Sequence, residues 1–252
     1  DRMAVCRPRG NDAHVARELE ARQIVPHTQR RQELADTQRL ALAVLGAAAL
    51  QHPLVTGGSG LVGGLAVALG LRDTPDSRRD ARPSGPAAVI AGSCTEMTNV
   101  QIDTFRQSRP CFLVDPVAAA EGRDVVGEAL LFARENLADG PILIHSTTTP
   151  QEVSRAQEEL GQARAAQITE DSLSAIAEGL VAVGVRQLIV AGGETSGAVV
   201  RRLGITTARV GKEVSPGVPW LTTKTGPGLS ILLKSGNLGT PTLFLDAWEH
   251  NR

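Results

Sequence analysis

The chain has 252 residues, 42% of them hydrophobic and 2% aromatic, with no tyrosine. Its 26 basic and 27 acidic side chains leave a formal net charge of -1, which argues against a nucleic-acid or anionic-membrane surface, since both need a basic excess. This length allows one or two domains with a sizeable core, and with so few aromatics that core must be Val, Leu, Ile and Ala, as in parallel strands covered by helices.

The cysteines Cys6, Cys94 and Cys111 are odd in number and make no CxxC pair or Cys/His cluster, so they fit a reducing compartment rather than a disulfide framework or a zinc site. No window approaches the roughly 18 consecutive apolar residues of a membrane span. The opening DRMAVCRPRG is too polar for a signal peptide, and the expected compartment is the cytoplasm.

Residues 1–33 read as a remnant or linker, with a short helix from Asn11 or Asp12 to Glu20 and a short strand at Gln23–Val25. Leu34 to Leu50 reads as an Ala/Leu-rich helix blemished by Gly46. Residues 52–70 give a short apolar run, a glycine turn and an apolar helix, and contain G-x-G-x-x-G at Gly58, Gly60 and Gly63. A dinucleotide fingerprint would want an acid about 20 residues on, at the end of a second strand. Asp80 has the spacing but lies in a polar, proline-rich loop, so a nicotinamide-dependent oxidoreductase is a minor alternative.

From residue 87 the pattern is regular. Ala87–Ala91 is a strand, and Thr98 with Gln101 has capping-box spacing for a helix to about Ser108. Cys111–Asp115 is a strand, Asp124–Leu137 a helix, Ile142–His145 a strand, and a helix from Ser146–Pro150 reaches about Gly161. Thr169, Glu170 and Asp171 suit a new helix start, followed by Leu173, Ile176, Ala177, Leu180 and Val181 on one face. Residues 211–220, with two prolines that cannot donate to a ladder, read as a loop. Leu229–Lys234 is a strand, and Pro241–Trp248 a short closing helix or strand.

The stretch QLIVAGGETSGAVVRRLG, 187–204, is a strand, a glycine turn and a helix expected at Ala198–Leu203. Such a turn offers free backbone N–H groups and the positive end of a helix to an anion, and its glycines admit a phosphate close to the backbone. An ordinary strand-to-helix turn would also be glycine-rich. Strands alternating with helices imply a parallel sheet with right-handed crossovers, which puts Ser93, His145-Ser146 and Gly192–Thr195 on the carboxyl edge where open α/β sheets bind ligands. There is no G-x-x-x-x-G-K-[ST] and no G-x-S-x-G. The five histidines are scattered, and His145 reads as a structural histidine. Glu194 could hold Mg²⁺ through water or a ribose hydroxyl, or simply favour a helix start. Lys234 could reach a phosphate or extend to solvent.

The blocks GGSGL (57–61), VIAGSCTEMTNVQI (89–102), VAGGETSGAVVRRLGI (190–205), KEVSPGVPW (212–220) and LLKSGNLG (232–239) occur in one order and spacing. Together they resemble the C-terminal nucleotide-binding domain of the four-carbon acid sugar kinases, which include 3-oxo-tetronate, D-threonate and D-erythronate kinases. The resemblance implies a nucleotide-binding domain over 34–252, α/β in class: a three-layer Rossmann-like domain with a largely parallel sheet. It implies ATP and Mg²⁺, with a small-molecule sugar acid phosphorylated on its terminal hydroxyl. Carried onto matching positions, its nucleotide contacts are Ser93, the turn Gly192, Gly193, Glu194, Thr195 and Ser196, and Gly236. No catalytic residue is assigned. The family's N-terminal substrate domain and its DD-x-TG-type motif have no counterpart here, Val25-Pro26-His27-Thr28 replaces an Asp-rich strand end, and Leu238 stands where an aromatic is common. The chain therefore reads as a fragment, as one half whose substrate domain is a separate chain, or as a non-catalytic nucleotide- or partner-binding module. A homodimer is a further open alternative.

Overall fold

The computed structural model describes residues 37, 40–71, 83–146 and 150–248. They fall in two compact units, Asp1–Asp76 and Ser77–Arg252. The expected helix from Asn11 or Asp12, the strand at Gln23–Val25, the boundary at 33/34 and Asp80 lie outside the described residues.

Among its described residues the first unit has α1 over 40–49 and α2 over Ser59–Ala68. Gly46 is no blemish: a Cβ there would strike the Gly64 backbone, and one at Gly64 would strike the Leu42 carbonyl. The pair meets backbone to backbone, which only glycine permits. Residues 54–58, ahead of α2, form no strand, so the glycine fingerprint lacks the strand that dinucleotide binding requires.

The second unit is a seven-stranded sheet: β1 (Ala87–Ala91), β2 (Cys111–Leu113), β3 (Ile142–His145), β4 (Gln187–Ala191), β5 (Ala208–Ser215), β6 (Val218–Thr223) and β7 (Ser230–Lys234). Their order is β2-β3-β1-β4-β7-β6-β5. The first five strands in that order run parallel; β6 is antiparallel to β7 and to β5. The helices are α3 (Glu96–Arg106), α4 (Pro116–Ala120), α5 (Val125–Asn136), α6 (Pro150–Leu160), α7 (Gln162–Ala182), α8 (Gly193–Arg202) and α9 (Leu243–Asp246).

Both faces of β1, β3, β4 and β7 are buried, which gives the three layers expected. Ala88, Ile90, Ile144, Leu188 and Val190 pack with Ala129 of α5, Ile176 of α7 and Val199 of α8. The alternate residues Val89, Ala91, Leu143, Ile189 and Leu232 pack with Ile102 and Phe105 of α3 and Phe244 of α9. Burial on both sides is why the strands read as unbroken apolar runs.

Several local expectations are corrected. Helix α7 runs straight through Thr169, Glu170 and Asp171, because the preceding Ala/Gln/Arg stretch is strongly helix-forming and the Thr169 hydroxyl satisfies the Ala165 carbonyl at 2.8 Å. Thr98 and Gln101 are not a capping box: α3 starts at Glu96 behind Thr95, and both side chains are buried and turned toward other segments. Residues 211–220 are not a loop but most of a hairpin. Pro219 is tolerated because it sits opposite Glu213 at a register shift and beyond the residues of β6 that pair with β7. Helix α8 starts at Gly193, five residues earlier than expected.

Candidate functional site

The sheet ladder continues one residue past the strand ends. Gly92 N–H donates to the Ala191 carbonyl, Ser146 N–H to Ala91 and Gly192 N–H to Lys234, each at 3.0 Å. The turns after β1, β3 and β4 therefore leave the sheet at one level, and they leave in different directions. The chain after β1 leads to α3 on one face, and the chain after β4 to α8 on the other. Diverging connections between adjacent strands open a crevice at the carboxyl edge, the usual ligand position in such sheets.

Gly192 has φ +121°, which favours glycine. Ser196 N–H makes the first intrahelical bond of α8, to the Gly192 carbonyl at 2.9 Å. The amides of Gly193, Glu194 and Thr195 precede that bond and head a ten-residue helix, an arrangement suited to an anion. Thr195 is buried and its Oγ1 lies against Gly92, where a Cβ would collide with it. Ser196 Oγ is turned back toward the Val190 carbonyl at 3.5 Å, and Glu194 is exposed on the rim. No added Cβ at Gly193 would meet anything within 4 Å.

Ser93 and Gly236 meet across the crevice, since a Cβ on Gly236 would collide with Ser93 Oγ and lie 2.5 Å from Thr95 Cγ2. A hydroxyl relay fixes them. Ser93 Oγ donates to Thr95 Oγ1 at 3.2 Å, Thr95 Oγ1 to Thr98 Oγ1 at 3.2 Å, and Thr98 Oγ1 to the Gly236 carbonyl at 2.9 Å. Gln101 Nε2 holds the same loop through the Leu238 and Thr240 carbonyls, at 3.2 and 2.8 Å. Thus the buried polar residues of α3 organise the turn after β7.

On the α7 side of the crevice lies a cavity of about 300 Å³. It is lined by Gly92, Cys94, Glu194 and Thr195 of the rim, by Leu113, Val114, Asp115 and Pro116 at and just after the end of β2, by Val153 and Arg155 of α6, and by Ala166 of α7. Asp115 caps α4 by accepting from Val117 N–H at 2.9 Å, while its other oxygen is 3.7 Å from Arg155 Nη2. Partial desolvation raises the Cys94 thiol above its ordinary pKa. His145 is buried at the end of β3 and does not line the cavity. Among the described residues, no three His, Cys, Asp or Glu side chains are gathered to hold a metal.

The structure thus brings Ser93, Gly192, Gly193, Glu194, Thr195 and Gly236 to one rim, with Ser196 facing the strand behind it. The sequence reading missed the cavity lining, because Leu113 and Val114 at a strand end and Val153 and Ala166 on helices all read as core. It also missed Thr98 and Gln101, whose spacing imitated a cap.

A family model described as "Nucleotide-binding C-terminal domain" matches residues 88–244. The 3-oxo-tetronate kinase of Burkholderia multivorans is 45% identical over 83% of this chain and 52% of its own length. That of Methylobacterium radiotolerans is 46% identical over 81% of this chain and 49% of its own. A crystal structure of a Haemophilus influenzae protein superposes with TM-score 0.70 at 32% identity, over 85% of this chain and 52% of that one. The chain spans about half the length of the curated relatives it matches. No helix among the described residues is long and apolar enough to cross a membrane. With a model match over residues 88–244 and relatives this similar, the chain belongs to the nucleotide-binding C-terminal domain family of the four-carbon acid sugar kinases.

Proposed function

We propose that this chain is the ATP-binding half of a kinase that phosphorylates the terminal hydroxyl of a four-carbon sugar acid of the threonate, erythronate or 3-oxo-tetronate type. The observation that carries this is the join between the α8 N-terminus and a cavity large enough for a nucleoside, beside a rim where side chains are excluded at Gly92 and Gly236. The names of the half-matching relatives supply the substrate class. The amides of Gly193, Glu194 and Thr195 bind phosphate oxygens, Ser93 and the Gly236 turn close the other side, and Leu113, Val114 and Ala166 enclose the base. The nucleotide supplies the transferable phosphoryl group and Mg²⁺ offsets its charge. Among the described residues no three carboxylate, His or Cys side chains gather as a cage, so Mg²⁺ is held chiefly by phosphates and water, with Glu194 as a carboxylate on the rim. The sugar acid and the base that deprotonates it belong to the half of the relatives this chain does not span. The protein therefore positions and screens the donor, and its share of the acceleration is electrostatic and geometric.

Calorimetric titration with Mg²⁺-ATP and ADP tests the reading: saturable binding is expected, and silence at about millimolar nucleotide, an affinity floor near 4 kcal/mol, would sink it. A second reading is a non-catalytic nucleotide- or partner-binding module that keeps this fold without turnover. A coupled assay with D-threonate, D-erythronate and 3-oxo-tetronates separates the two, since turnover by this chain alone eliminates the module.

A further inference from the structure

Behind the rim lies a buried cation that none of the roles above uses. Lys234 ends β7 and shares the α3/α9 face with Leu232, and it is 2% exposed. Its Nζ donates to the Gly236 carbonyl at 2.9 Å and to Thr98 Oγ1 at 3.1 Å, and stands 5.6 Å from the centre of the Phe244 ring. No carboxylate pairs with it among the described residues. The charged groups on the elements around it are Glu96, Asp103 and Arg106 of α3 and Asp246 of α9, all exposed, and β4 and β6 carry no titratable side chain. Desolvation lowers its pKa from 10.5 to about 8.

Buried ammonium groups ordinarily pair with a carboxylate, because removing the charge from water is costly. Lys234 instead holds two neutral oxygens belonging to the very segments, Gly236 and the Ser93–Thr95–Thr98 relay, that shape the nucleotide rim. A fold needing only a hydrogen-bond donor here would not need a charge. We infer that Lys234 is the fixed counter-charge of the nucleotide phosphates, a positioning residue that acts through the Gly236 turn and Thr98 and takes up a proton from solvent when an anionic nucleotide binds. The inference rests on the nucleotide reading of the rim. Bound phosphate favours the ammonium form, so affinity is highest below the free-state pKa and falls as pH rises through it.

Calorimetry on this chain tests it, with Mg²⁺-ATP titrated at about pH 8.5 in two buffers of unlike ionisation enthalpy, and with adenosine as the uncharged control. The expected result is uptake of a fraction of a proton with ATP and none with adenosine. ATP affinity should fall about tenfold between roughly pH 7.5 and 9.5, the change that corresponds to one unit of pKa. Lys234→Met should abolish both the uptake and the slope. ATP binding without proton uptake by the wild-type chain overturns the inference, as does uptake that persists in Lys234→Met or appears with adenosine. The wild-type buffer comparison decides even where the variant does not fold. If ATP fails to bind in any buffer, the nucleotide reading itself falls and takes this inference with it; if ATP binds without protons, only this inference falls.

Discussion

Gly193 offers a clean separation of fold from ligand. It is the first residue of α8, its φ is outside the positive range, and an added Cβ meets nothing within 4 Å. Nothing in the protein's own packing requires glycine there, and a helical glycine costs roughly 0.5–1 kcal/mol relative to alanine. Gly193→Val should thus leave stability within about 1 kcal/mol of wild type, since an exposed first-turn position tolerates a branched side chain. Binding should respond differently. A phosphate displaced by the isopropyl group loses two of the three amide contacts at 193–195, and hydrogen bonds to a charged group are worth about 1.5–3 kcal/mol each. Even half that sum lowers ATP affinity by about tenfold or more. Urea unfolding and ATP calorimetry on the same samples make the comparison. Gly228→Val, at another position with open space and an ordinary φ, is the control expected to change neither. A Gly193→Val chain that folds and binds ATP like wild type refutes the placement of phosphate at the α8 N-terminus.

Three further outcomes are expected. Ala166 is exposed yet lines the cavity, so Ala166→Trp should weaken ATP and adenosine alike by about tenfold or more at unchanged unfolding midpoint, read by calorimetry and urea titration. Gly46→Val should open the α1–α2 contact and speed limited proteolysis near residues 40–68, whereas Gly63→Val, with open space around it, should not. Stability of the nucleotide-free chain should rise between pH 8 and 9, by up to about 1 kcal/mol per unit. The unfolded lysine still binds its proton there while folded Lys234 has begun to release it, so the contribution is present at high pH and lost as pH falls through 8. Above 9 the trend should weaken, because Cys111, raised by burial from 9.0 to about 11, contributes stability that is lost as pH climbs. A flat urea-midpoint profile from pH 8 to 9 would contradict the state assigned to Lys234.

The parallel strands were legible because both faces are buried: AAVIA, ILIH and QLIVA have few polar residues to confuse a period. The rim was legible too, because a strand followed by glycines and a helix is local chemistry. What failed was what depends on distant partners. Thr98 and Gln101, the third and sixth residues of α3, are placed by topology and not by capping, because their partners are 137–139 residues away. Pro219 suggested a loop since nothing in 211–220 reveals that its strand begins pairing with β7 only after it, at Trp220. Gly46 looked like a propensity defect because Gly64, its reason, lies on another helix. The cavity walls were invisible for a similar reason, as an Ala166 at a cavity and an alanine in a core have the same local pattern.

The site's two sides differ in kind, and the difference constrains the reaction. Below the rim on the α3 face, the relay Ser93–Thr95–Thr98 and the loop 236–240 are tied by buried and half-buried hydrogen bonds, with Lys234 at their base. On the other face, Thr195 fills the space over Gly92, and the cavity beyond it has apolar walls. A nucleotide lying across the crest at Gly92 and Gly192 would have its base over α7 and its phosphates against the head of α8. Neither face then leaves an approach from beneath, because the sheet blocks it with Ala91 and Ala191 fully buried. An in-line acceptor hydroxyl would have to arrive from above the carboxyl edge. A partner domain holding the sugar acid would therefore sit over this edge rather than beside either helical layer, and its arrival would also exclude water from a rim that α8 and Gly236 shape but do not cover.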